Sequence, residues 1–214
     1  MKTFKKWLAL ESVKSDHLSD LIKIVDTSMP HARLVLSQYR EPPVVQKIQF
    51  HLTKKPSGGL WYGFGSSWLR WLAMEMHEEK MFKYLHSISI DEDKICKIKT
   101  ERHFIFFSKK FCPFWGQDVN SMLQKIVRWD HTSDQLYGPD EYGNYENVLK
   151  RCGGGVEFDG AGFVTNIDIG NKNYDTWLSD WDVPSGVIWD PSVLKGSRLV
   201  AEFSDADQKY VQIN

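Results

Sequence analysis

A chain of 214 residues, 42% hydrophobic and 26% charged, is long enough to bury one substantial core and too apolar to remain disordered. Its net charge of −1 excludes the global positive field that drives non-specific nucleic-acid binding, so any basic groove has to be local. Three cysteines (Cys96, Cys112 and Cys152) without a CxxC pair argue against a disulfide framework and for a reducing cytosol, and no apolar window is long enough to span a membrane.

The first segment, from Phe4 to about Val25, repeats apolar residues at spacings of three and four, which predicts an amphipathic helix or two short helices. Ser15 or Asp16 is positioned to cap the second piece, and the apolar run near Met1 breaks at Glu11 without a cleavage site, so a helix is expected there rather than a signal peptide. A short apolar segment lies between Pro30 and Pro42, and "VVQKIQFHL" alternates as a strand ending near His51. "TKKPSGG" is turn chemistry, "LWYGF" is a short aromatic strand, and "SSWLRWLAMEM" is a helix with Ser66 or Ser67 at its N-cap.

Farther on, "KYLHSISI" and "KICKIKT" are strands joined by the turn "DEDK", and "RHFIFFS" is a third strand candidate. "VNSMLQKIVRW" is helical in pattern, followed by a long loop with a short helix in "YENVLK". "GGVEFDGAGFVTNI" and "GVIWDPSVL" supply two more strands. Helices first, mixed elements next and strands last make an α+β order, with residues 1–44 as a helical extension and 45–214 as the main unit.

Chemistry is sparse in this pattern. The usual nucleotide, metalloprotease and serine-hydrolase motifs are missing, and "CGGGVEFDGAG" precedes a strand, the reverse of the order a dinucleotide loop needs, so it is taken as a turn. The seven histidines show no metal-ligand spacing, and the cysteines are expected to be small buried hydrophobes rather than nucleophiles. Trp68 and Trp71, three apart on one helix, share a face and are expected in the core. Trp61 and Tyr62 lie in the preceding strand, where an aromatic either packs inward or offers a stacking surface to a nicotinamide or nucleobase. His51 is either a polar strand terminus or a site residue, and the turn from Asp182 to Gly186 resembles the first glycine turn in composition.

The succession "QFHL", "TKKPSGG", "LWYGF", "SSWLRWLAMEM", with "GVIWDPSVLKG" as a closing strand, resembles the compact ADP-ribosyltransferase-like domains over about residues 45–200. In that family an early strand carries a His or Arg, a glycine loop follows, and a strand with an aromatic or hydroxyl residue runs into a helix. The resemblance implies an ADP-ribosyltransferase-like fold, NAD as co-substrate and a macromolecular acceptor, protein or nucleic acid. It assigns His51 to the nicotinamide-side ribose and Tyr62 to nicotinamide stacking, with Trp61, Ser66, Ser67 and Ser185 beside the cofactor. The family's Glu before the closing strand is replaced here by Ser185 and Gly186, which leaves Asp182 or Glu157 as the assisting carboxylate. Two other classes fit the same chain: an interaction protein gripping a partner with Trp and Tyr, and a nucleic-acid module using "KIKTERH" and "FSKKF".

Overall fold

The computed structural model describes residues 16–49, 58–75, 82–100, 153–158 and 183–213, together with residues 103, 107 and 124. Helix α1 (Asp16–Ser28) forms because Leu18, Leu21, Ile22 and Val25 fall on one stripe, of which the last three are buried. It stops where Ser28 Oγ bonds back to the Ile24 carbonyl at 2.6 Å and Pro30 follows.

Strand β1 (Arg33–Ser37), strand β2 (Leu60–Phe64), helix α2 (Ser67–Glu75), strand β3 (Tyr84–Ile90) and strand β4 (Ile95–Ile98) come next. The chain closes with β5 (Gly155–Phe158), β6 (Ser185–Ile188), β7 (Leu194–Ser204) and β8 (Lys209–Gln212). These form one eight-stranded sheet in the order β4-β5-β6-β2-β1-β3-β7-β8. All neighbours are antiparallel except β4 and β5. The architecture is mixed α+β.

Both faces of the sheet are covered near its centre, since adjacent Leu34 and Val35 of β1 are both buried and must point opposite ways. Leu34 joins the layer under α1 and α2 with Leu21, Val25, Leu69, Leu85 and Phe203. Val35 joins Leu60, Tyr62, Ile88, Ile95 and Val193 on the opposite side. With β1 in the middle of the sheet and α1 roofing it, residues 16–37 belong to the same core as the strands that follow.

Several sequence expectations are corrected. Residues 44–48 are irregular, with a single bridge at Gln49, so the strand expected over 44–52 does not form within the described part. Ile48 is buried as the anchor of a loop. His103 and Phe107, expected in a strand, are helical. Cys96 is disulfide-bonded, against the expectation that all three cysteines stay reduced; Cys112 and Cys152 lie outside the described residues. The inference of a reducing compartment loses the support it drew from the cysteine count. No helix among the described residues is long and apolar enough to cross a membrane.

The β2–α2 turn depends on Gly65. Its φ of +50° is a region other residues avoid, and a Cβ there would sit 2.1 Å from the Pro30 carbonyl oxygen. Gly65→Ala is expected to lower stability by more than about 1 kcal/mol, read as a lower urea midpoint at constant slope.

Candidate functional site

Two features stand out, and neighbouring residues of β2 lead to both. Side chains alternate along a strand, so Trp61 and Tyr62 go to different surroundings.

Tyr62 is fully buried within a polar cluster. Glu157 of β5, Gly186 of β6 and Tyr62 of β2 are direct cross-strand partners in one row. Tyr62 and Glu157 are therefore two strand spacings apart, roughly 10 Å between backbones. They still meet, because Gly186 presents no side chain and the phenol lies across it, its hydroxyl donating to Glu157 Oε2 at 2.9 Å. Arg33, at the start of β1, grips the same carboxylate as a fork, Nε to Oε2 at 2.6 Å and Nη2 to Oε1 at 3.2 Å. Its Nη2 also donates to Glu92 Oε1 at 2.9 Å, and Glu92 in turn pairs with Lys97. Two cations thus face two carboxylates, grading from Glu157, 2% exposed, to Glu92, 53% exposed.

The electrostatics follow from this packing. Burial alone pulls the Arg33 guanidinium down, but the hydrogen bonds and charge of Glu157 more than reverse it, so Arg33 is held above its ordinary value. Lys97 and then Arg33 hold the Glu92 carboxyl below its usual range despite some opposing desolvation. Burial, then the charge of Glu157 and the hydrogen bond to it, raise the Tyr62 phenol well above 10, its ordinary value. Burial also pushes Tyr210 up to about 12.

Both phenols are neutral in the folded state and ionise more easily when unfolded. Their contribution is complete below pH 10 and is lost as pH rises through and beyond that value. Stability is therefore expected to fall between about pH 10 and 12, with a shallower fall in Tyr62→Phe, as read from urea midpoints along a pH series.

Trp61 leads to the second feature. Its indole N–H donates to the Gly58 carbonyl at 3.0 Å, and the ring helps wall a cavity of about 760 Å³ between the β1–β2 connection and α2. Trp68, Trp71, Tyr39 and Phe82 also line it. Trp68 and Trp71 were expected in the core; instead Leu69 and Leu72 of α2 are buried, and the adjacent indole stripe faces the cavity, with Trp68 packed close over Gly63. Among the described residues, neither of these two indole N–H groups has a hydrogen-bond partner. Tyr39, 71% exposed, stands at the mouth, and its carbonyl lies 3.3 Å from Nε2 of buried His86, which donates there in the Nε2–H tautomer. The Tyr210 hydroxyl bonds the Phe82 carbonyl, tying another wall residue to β8.

The structure thus brings together Tyr62 and Glu157, two residues named from the sequence, and places Trp61 in a different environment. Ser66 is committed to helix docking: its hydroxyl donates to Asp26 of α1 at 2.5 Å and accepts from Arg70 at 3.0 Å. Ser67 donates to the Pro184 carbonyl at 3.0 Å and Ser185 to the Val183 carbonyl at 2.9 Å. His51 and Asp182 lie outside the described residues. Compared with known proteins, the chain matches no family model, no curated protein and no solved structure. Among the described residues no group of His, Cys, Asp and Glu could hold a metal ion.

Arg33, Glu92, Lys97, Tyr39 and Phe82 were not singled out from the sequence. The available signal for Arg33 was a cation opening the alternation Arg33, Val35, Ser37 in what reads as a short apolar stretch. Nothing local signals its partner 124 positions away.

Proposed function

We propose that the chain binds a small molecule that presents a flat or compact organic group to the cavity walled by Trp61, Trp68 and Trp71. The observation that carries this reading is the concave grouping of three indoles around about 760 Å³, inside the range of about 300–1,000 Å³ common for small-molecule sites. Indoles on a convex surface would suit an interaction protein that anchors a macromolecule; a concave wall suits a ligand it can surround.

The enzymatic form of this reading is an NAD-dependent ADP-ribosyltransferase with the corresponding fold, acting on a protein or nucleic-acid acceptor. Two observations support it. Tyr62 and Glu157 meet in one hydrogen bond although 95 positions separate them. The order of β1 with Arg33, a long connection, β2 with Tyr62 and then α2 keeps the early basic strand, loop, second strand and helix of that family. Arg33 then takes the early-strand position first assigned to His51. In this reaction the bond between nicotinamide and ribose of NAD breaks, nicotinamide leaves and a nucleophile of the acceptor bonds to the ribose carbon; Glu157, held by Arg33 and Tyr62 in a cluster distinct from the tryptophan cavity, is the carboxylate proposed to face the positive charge that develops on the ribose.

Tryptophan fluorescence and thermal shift with NAD and with nicotinamide test the binding, and release of nicotinamide from labelled NAD in the presence of cell lysate tests the chemistry. Saturable quenching, weakened about tenfold or more in Trp71→Leu, is expected, together with nicotinamide release and label on protein or nucleic acid. Quenching without release would remove the transferase form and leave the binding site. Failure of NAD and nicotinamide to quench would remove NAD as the occupant.

A further inference from the structure

The chemistry of the cavity wall narrows what it admits. Among the described residues that line it, Glu41 is the single charged side chain, and none of them is a lysine or arginine. Glu41 is exposed on the β1–β2 connection, two residues after Tyr39, and makes no ion pair among the described residues. Its neighbour Arg40 is committed elsewhere, to Glu202. The wall carries the rings of Trp61, Trp68, Trp71, Tyr39 and Phe82 among aliphatic, proline and glycine residues, and the faces of such rings carry the negative end of a quadrupole.

Ring faces attract a positive group, and the Glu41 carboxylate, which makes no ion pair among the described residues, adds a field of the same sign. A soft, weakly hydrated cation loses little on leaving water and gains from both, whereas an ammonium with strongly bound water does not desolvate as readily. An anionic group would meet Glu41 and ring faces with no lysine or arginine among the described lining residues to neutralise it, so of NAD the cavity suits the nicotinamide end and not the diphosphate. We propose that the cavity selects an organic cation carrying a quaternary ammonium or an N-alkylated pyridinium group, held by the tryptophans and steered by Glu41. The inference rests on the ligand-binding reading of this cavity and specifies the class of its ligand.

Charge can be separated from shape with neutral isosteres. The full chain is titrated, following tryptophan fluorescence in about 0.15 M salt so that remote charges are screened. Choline is paired with 3,3-dimethyl-1-butanol, and 1-methylnicotinamide with nicotinamide. Each cation is expected to bind about tenfold or more tighter than its neutral partner, and Glu41→Gln to reduce that ratio to about threefold or less. As Glu41 is exposed, the variant is expected to keep the wild-type urea midpoint, which excludes a folding defect as the cause. Equal affinities within both pairs, or a ratio that survives Glu41→Gln, would overturn the selectivity while saturable binding of the neutral compounds left the cavity reading standing. No saturable quenching by any of the four compounds would overturn both.

Discussion

Gly186→Ala is expected to destabilise the protein by about 2–5 kcal/mol, a large effect for one added methyl group. The new Cβ would sit 2.3 Å from Tyr62 Cζ and 2.4 Å from its hydroxyl oxygen, so the ring cannot stay where it is. Neither side has room to give. Tyr62 is fully buried among Leu60, Ile88 and Ile188, and the backbone of β6 is held by ladders to β2 on one side and β5 on the other. Displacing the ring costs overpacking and also separates the hydroxyl from Glu157, leaving a buried polar group short of a partner.

A double-mutant cycle tests this cause. In a Tyr62→Ala background the obstructing ring is gone, and the added cost of Gly186→Ala is expected to fall to about 1 kcal/mol or less. Equal costs in both backgrounds would place the effect in the β6 backbone. Tyr62→Phe is a milder control, keeping the ring and removing one hydrogen bond for about 1–2 kcal/mol.

The same row of residues shows what the sequence makes legible and what it hides. β3 and β4 can be read locally because each is a short isoleucine-rich run and the acidic turn between them has few other uses, although neighbours are both buried at Leu85–His86 and at Ile95–Cys96. β7, the longest of the described strands, is hidden by Lys195, Gly196 and Arg198, which interrupt the alternation where the strand is more exposed. Val45 and Ile48 imitate a strand because a loop lying on a core also needs apolar anchors, and the exposed Val44 beside them extends the resemblance without anchoring anything. For Trp68 and Trp71 the shared face was legible; that it borders a cavity was not, because Leu69 and Leu72 occupy the neighbouring stripe and helical spacing alone does not say which stripe faces the core. Glu157 and Tyr62 could each be named. Their contact could not, because it depends on a glycine in a third strand and on a register that only the assembled sheet defines.

Glu157→Leu is expected to cost about 3–5 kcal/mol, because it removes one partner of a buried ion pair and leaves the other behind. Arg33 would lose both arms of its fork and retain Glu92, while the Tyr62 hydroxyl would lose its acceptor. Glu157→Gln keeps an acceptor for Tyr62 and is expected to cost less. Replacing both charges, as Arg33→Met with Glu157→Leu, is expected to recover most of the loss, since well-packed apolar pairs commonly equal or exceed buried ion pairs in stability. Urea unfolding of the single and double variants checks that order.

The double variant also separates the two roles the cluster could have. If the charges serve only the fold, a stable Arg33→Met, Glu157→Leu protein keeps whatever chemistry the wild type performs on NAD. The transferase proposal requires the opposite: nicotinamide release from labelled NAD falls by about a hundredfold or more, because the charge opposite the developing cation has gone. Binding in the tryptophan cavity, read by fluorescence in the same sample, is expected to persist, since none of its wall residues has changed. Retained release in a stable double variant would assign Arg33, Tyr62 and Glu157 to structure alone.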